Sequence, residues 1–159
     1  MRRRLILMRH ADSAWATMNG SDHSRSLSER GREEAPRIAE RLRDMTWTPE
    51  HVLSSDSTRT QETWQTMSET LESGIACTFT RALYHADLEA LWTESHAIDR
   101  GIGTLLALGH NPGWSEALQM LCGLRESMVP ASAALLIGQG EGWPEALRGP
   151  WELEALFRP

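Results

Sequence analysis

Two histidines each follow an apolar run in this chain. Leu5-Ile6-Leu7-Met8 leads into Arg9-His10, and Thr104 to Leu108 leads into Gly109-His110. A third run, Val52-Leu53-Ser54, is followed a few residues later by Arg59. A guanidinium is a fixed fork for phosphate or carboxylate oxygens. A neutral imidazole serves as nucleophile, base or metal ligand. Two imidazoles, two or more guanidiniums and the helix N-termini beside them all favour an anion. Phosphoryl transfer needs mainly positioning and charge neutralisation on the non-bridging oxygens. A neutral histidine in line with phosphorus accepts that group, and water then cleaves the phosphohistidine. Such a histidine should donate its other ring N–H to a backbone carbonyl. No P-loop pattern is present, so the phosphate is not expected to be held as in an ATPase. Zinc is the alternative for His10 and His110, with a third ligand from His85, Asp12 or Asp87. The Arg9 cation beside His10 opposes that reading.

These residues need elements that bring them together. Leu5 to Met8 reads as a buried strand, being short, continuous and without a polar face. Ala14 to Arg25 reads as a pocket-lining loop with a turn at Asn19-Gly20. Ser28 is a helix N-cap, and Ala35, Ile38, Ala39 and Leu42 follow at helical spacing to about Met45. Pro36 interrupts that pattern, so the regular helix should start late, near Arg32, or bend there. Ser55-Asp56-Ser57 offers caps for a second helix running to about Ser73, with Gly74 as its stop. Ala76 to Thr80 reads as an edge strand and Ala86 to Ile98 as a helix. Asn111 is expected as the cap of a helix with Pro112 at its first position. Ala133 to Ile137 and Glu152 to Phe157 read as closing strands, joined through the Gly- and Pro-rich stretch Gly138 to Pro150 as a hairpin-like connection. This order predicts an α/β fold: a three-layer α/β/α sandwich with a mostly parallel sheet. Met8, Ser54 and Gly109 then end strands at one sheet edge, where open α/β sheets bind ligands.

The bulk properties bound the reading. The chain has 159 residues, which fits one domain over 1–159. Its net charge of -6 argues against a nucleic-acid surface. No stretch approaches membrane-spanning length. Arg2-Arg3-Arg4 precedes an apolar run too short for a secretion signal. Cys77 and Cys122 lack a CxxC pattern and read as reduced thiols of a cytoplasmic protein.

Four ordered blocks carry a resemblance: Leu7-Met8-Arg9-His10-Ala11, Arg25-Ser26-Leu27-Ser28-Glu29-Arg30-Gly31, Leu53 to Thr63, and Leu108 to Gly113. Leu83-Tyr84 fits as well. The chain resembles the histidine phosphatase superfamily, which is phosphoglycerate mutase-like in fold, and most closely its SixA-like phosphohistidine phosphatases. The resemblance implies that His10 is the phosphorylated nucleophile and that Arg9, Arg59 and His110 form the phosphate pocket. It places Arg25 near that pocket, and Ser13 falls on the same loop as a further substrate-binding candidate. Larger relatives carry an acidic proton donor; here Asp12 is the nearest in sequence, with Asp87 and Glu89 as further candidates. A protonated imidazole leaving group needs that help less than an alkoxide does. No cofactor is implied.

The function expected is a metal-independent phosphatase acting on a phosphorylated protein or a small phosphorylated substrate. The short chain leaves the pocket open, which favours a protein or a broad range of substrates. A catalytically weak phosphate- or phosphoprotein-binding module is the alternative, opposed by the presence of all four pocket residues. A mutase would need a segment that closes the pocket against water. His85 is expected at the pocket rim as a partly exposed polar residue, and His23, His51 and His96 are expected to play no part. Trp15 and Trp114 flank the two His-bearing loops as candidate pocket walls or packing residues. Gly109 and Gly113 are expected to allow tight turns around His110.

Overall fold

The computed structural model describes residues 1–15, 20–71 and 74–159. Six strands form one sheet: β1 (Arg2–Arg9), β2 (His51–Ser55), β3 (Ala76–Thr80), β4 (Thr104–Gly109), β5 (Ala133–Gln139) and β6 (Glu152–Phe157). Their spatial order is β3-β2-β4-β1-β5-β6. β1, β2, β3 and β4 pair in parallel, while β5 runs antiparallel to both β1 and β6. Only β5 is therefore reversed, and the sheet is mostly parallel as its sequence suggested.

Side-chain alternation divides the core into two layers. Ile6 and Met8 of β1, with Leu106 and Leu108 of β4, face α1 (Glu29–Asp44) and α2 (Thr58–Ser68). Leu5, Leu7, Leu105 and Ala107 face α3 (Leu88–Ser95), α4 (Gly113–Cys122) and α5 (Trp143–Arg148). Both faces are covered, which is why β1 and β4 read as unbroken apolar runs.

α1 begins at Glu29, with the Ser28 hydroxyl accepting from Gly31 N–H, and it contains Pro36. The late start near Arg32 is not what forms. The cap and the buried stripe of Ala35, Ile38, Ala39 and Leu42 outweigh the one hydrogen bond that Pro36 withholds. Ser57 caps α2 through Thr60 N–H, and the regular helix ends at Ser68. The expected end at Ser73 and the Asn19 half of the expected turn lie outside the described residues. The helix expected over Ala86 to Ile98 shortens to α3, because the Asp87 side chain caps it at Ala90 N–H. Asn111 sits one position further out than expected. Pro112 takes the cap position of α4, while Asn111 Oδ1 accepts from Ser115 N–H at 3.1 Å.

The connection Gly138 to Pro150 is not a simple hairpin. It contains α5, which buries Trp143, Ala146 and Leu147 against the sheet. β1 is also longer than its apolar run. Arg3 joins it because its guanidinium turns inward and donates to four carbonyls: Gly140 at 3.0 Å, Arg100 and Ile102 at 2.7 Å each, and Glu141.

Candidate active site

The C-terminal ends of β1, β2 and β4 converge at one edge, with Arg9 opposite Gly109 and Ser54 opposite Leu108. His10 leaves β1 there and is buried. Its Nδ1 lies 2.7 Å from the Ala11 carbonyl oxygen. A carbonyl only accepts, so Nδ1 carries the proton. Nε2 is left with its lone pair, and Arg59 Nε donates to it at 3.3 Å. Burial, opposed by the Ala11 bond and reinforced by Arg59, Arg9 and Arg25, pushes the His10 pKa down to about 3. The ring is neutral at physiological pH.

Arg59 lies in the first turn of α2 and is almost wholly buried. Its Nη2 also reaches His110 Nδ1 at 3.3 Å. A guanidinium cannot accept, so His110 Nδ1 is the acceptor and Nε2–H donates to Ser55 Oγ at 2.8 Å. Burial, followed by the neighbouring His10 and Arg59, holds the His110 pKa well below the usual imidazole range. The His10 and His110 rings are 5.3 Å apart. Arg9 Nη1 donates to the Met128 carbonyl at 2.9 Å, whereas its buried Nε has no partner. Burial, then Arg59, lowers the Arg9 pKa, and Asp12 opposes the shift. Four side chains thus surround one small space with guanidinium N–H groups and two bare ring nitrogens, His10 Nε2 and His110 Nδ1.

A second layer fixes that geometry. Thr63 Oγ1 accepts from Ala11 N–H at 3.0 Å and donates to the Arg59 carbonyl at 2.7 Å, so one hydroxyl ties the His10 loop to α2. Glycines permit close approach here rather than unusual turns. A Cβ on Gly31 would sit 2.1 Å from the Asp12 carbonyl oxygen, and one on Gly113 would sit 1.7 Å from that of Ala86. A Cβ on Gly109 would lie 2.8 Å from the Trp114 ring. The chain turns at Asn111-Pro112 between Gly109 and Gly113, and neither glycine has positive φ there.

The remaining candidates are placed as follows. The Asp12 carboxylate accepts from the Ser28 hydroxyl at 2.6 Å, at the start of α1. Arg25 Nη1 donates to Ser13 Oγ and to the Ala14 carbonyl at 3.2 Å each, bringing Ser13 and Arg25 together on the loop. Trp114 is packing rather than a wall: it is fully buried and donates to the Ala107 carbonyl. Trp15 is 93% exposed. Glu89 pairs with Arg148 at 2.6 Å, and Asp87 caps α3. Both carboxylates are thereby engaged elsewhere.

Sequence reasoning missed Asp22. Its carboxylate accepts from Arg59 Nη2 at 3.1 Å, His85 Nε2 at 2.9 Å, Arg25 Nε at 3.1 Å and the Tyr84 hydroxyl. The Tyr84 hydroxyl, then His85 and Arg59, hold it well below the usual carboxylate range against the opposing effect of burial. His85 has φ +51 and its ring lies 4.9 Å from that of His110. His23, expected to be idle, bonds Asp56 at 2.6 Å and packs edge-on to Tyr84. The available signals were the reading of Ala14 to Arg25 as a pocket-lining loop and the expectation of His85 at the pocket rim, where it lies.

Residues 5–97 match the histidine phosphatase superfamily (branch 1). The chain belongs to that superfamily. An uncharacterized chloroplastic protein of Arabidopsis thaliana is 37% identical over 170 residues, covering 99% of this chain and 78% of the plant protein. Within the superfamily the fold is SixA-like. A proposed phosphohistidine phosphatase SixA of Agrobacterium tumefaciens aligns with TM-score 0.83 at 27% identity, over 99% of this chain and 98% of the other. A structure of the protein histidine phosphatase SixA with tungstate aligns with TM-score 0.80 at 19% identity, over 96% and 95% of the two chains. The likeness at 19% identity is one of fold.

Proposed function

We propose that this histidine phosphatase superfamily member is a metal-independent phosphatase working through a covalent phosphohistidine on His10. The observation that carries this reading is the state of the His10 ring. The Ala11 carbonyl holds the proton on Nδ1, so Nε2 points its lone pair into a buried cradle of Arg9, Arg59 and His110. Nothing else is required of a nitrogen nucleophile. Tungstate bound by the SixA neighbour supports an oxyanion in this cradle.

In the first step Nε2 bonds to phosphorus while the bond from phosphorus to the leaving group breaks, its electron pair departing with that group. Arg9 and Arg59 hold the non-bridging oxygens. His110 is suited to join them, because the Ser55 hydroxyl can donate to Nε2 as readily as it accepts, which frees the ring proton for Nδ1. Water then attacks phosphorus, the Nε2–phosphorus bond breaks, and inorganic phosphate leaves. We assign Asp12 to steadying Arg9 and the α1 cap rather than to proton donation, since its carboxylate is spent on Ser28. Arg25 and Ser13 are assigned to the rim where the substrate enters. The substrate is a phosphohistidine in a protein or a small phosphate ester. The free thiols of Cys77 and Cys122 support a reducing compartment such as the cytoplasm.

The test is a rapid-quench trap with a radiolabelled aryl phosphate. Label that survives alkali, leaves in acid and vanishes in His10→Ala is the expected result. Phosphate binding without label or turnover would instead make the chain a binding module, and turnover stopped by a chelator would remove the His10 mechanism.

A further inference from the structure

The phosphatase reading leaves one charged group at the mouth without a task. Asp22 belongs to the loop between β1 and α1, and its side chain is 47% exposed. Its carboxylate draws donors from three parts of the chain: Arg25 on its own loop, Arg59 at the start of α2, and Tyr84 and His85 in the turn after β3. Arg59 Nη1 also donates to the Asp22 carbonyl at 2.7 Å. The carboxylate shares Arg59 Nη2 with His110 Nδ1, so it borders the space that the four cradle residues surround.

An in-line displacement places the leaving group on the side of phosphorus opposite His10 Nε2. In a cradle buried at the His10 end and open at Asp22, that side is the mouth. The leaving group therefore departs beside this carboxylate. We infer that Asp22 is a specificity-determining residue: it admits leaving groups that present an N–H or a positive charge next to the scissile bond and turns away those that carry a negative charge there. This rests on the phosphatase reading above and refines it.

Two features carry the inference. First, three donors at the mouth that could receive a substrate's carboxylate or second phosphate are already engaged by Asp22. Arg25 Nε, the Tyr84 hydroxyl and His85 Nε2 all end on it. An anionic substituent would meet a like charge that already holds these three donors, which opposes binding. When a phosphoryl group takes the Arg59 fork, Asp22 also loses one of its two guanidinium partners, and its repulsion of a second anion grows. Second, an N-phosphoryl imidazolium gains here. Its remote ring nitrogen bears an N–H that the carboxylate accepts, so the ring keeps that proton. As Nε2 of His10 bonds to phosphorus, the phosphorus–nitrogen bond breaks and its electron pair returns to the ring, which departs as neutral imidazole. No external proton donor is needed in that step.

The experiment compares kcat/KM for N-phosphorylimidazole, ethyl phosphate and phosphoglycolate, in wild type, Asp22→Asn and Tyr84→Phe. Wild type is expected to rank them in that order. Asp22→Asn should raise phosphoglycolate relative to ethyl phosphate by about tenfold and lower phosphorylimidazole relative to ethyl phosphate. Tyr84→Phe keeps the charge but loosens its hold, so it should move both ratios the same way and less far. Because ratios are read, a loss of folded protein or of general activity does not mimic the effect. If wild type turns over all three and neither variant moves a ratio by more than about twofold, Asp22 does not set specificity. If wild type turns over none of them, the phosphatase reading itself falls, and this refinement with it.

Discussion

Keeping the buried His10 ring neutral costs stability in acid. Folded, its pKa is down to about 3; in the unfolded chain it takes up a proton near 6.5. Between those values the unfolded state binds more protons, so stability rises with pH across that window. Read downward, stability is lost from about pH 6.5 until His10 itself protonates near pH 3. The slope from one such group cannot exceed about 1.4 kcal/mol per pH unit. His110 is shifted in the same direction and adds to it. Replacing His10 by Asn removes the titrating ring and keeps a donor for the Ala11 carbonyl. Urea melts at pH 7 and pH 5 should therefore show a smaller acid loss in His10→Asn than in wild type. Equal losses would mean that the folded ring titrates normally, and the bare Nε2 would lose its explanation.

At the scale of elements, the proposed mechanism needs the loop after β1 held against α2, and Thr63 joins the two. Thr63→Val keeps the shape but leaves Ala11 N–H buried without a partner, costing about 1–3 kcal/mol. It also frees the His10 loop to shift against Arg59, and misplacements near 1 Å can cost about 100-fold in rate. Both losses are expected in Thr63→Val, by melting and by kcat, with Thr63→Ser restoring them. Full activity in the valine variant would show that packing alone sets the spacing. The elements themselves were mostly legible. β1 and β4 are covered on both faces, so they read as apolar runs, and a strand end preceded each of Arg9, His10, Arg59 and His110. α5 was hidden because its flanking glycines and prolines dominate a six-residue helix. The meeting of Asp22 with Tyr84 and His85 was hidden for another reason. These residues come from a polar loop and from the turn after an exposed edge strand, and only the sheet order brings them together. Periodicity carries no record of such a meeting.

For the molecule as a whole, function and stability are held at opposite ends of the sheet. The cradle sits where β1 and β4 end. Arg3 sits where β1 begins, fully buried, and joins the segment before β4 to the segment after β5 through the carbonyls of Arg100, Ile102, Gly140 and Glu141. Its guanidinium has no carboxylate partner among the described hydrogen bonds; the planar fork is satisfied by backbone oxygens alone and lies 5.7 Å from the Trp143 ring centroid. Lysine cannot reproduce this, because its ammonium is a point charge without the fork. Arg3→Met strands several buried carbonyls, each costing about 1–3 kcal/mol when fully desolvated, with water entry recovering part of the loss. A net loss of about 3 kcal/mol is expected for Arg3→Met in chemical melts. Arg3→Lys should fall nearer to Met than to wild type. Both variants should keep the wild-type kcat/KM at temperatures where they remain folded, since the sheet register that aligns Arg9 with Gly109 is set by the β1–β4 ladder itself. A large loss of kcat/KM in folded Arg3→Met would show that the far end of β1 controls the cradle, and that stability and catalysis in this fold are not separable along the strand.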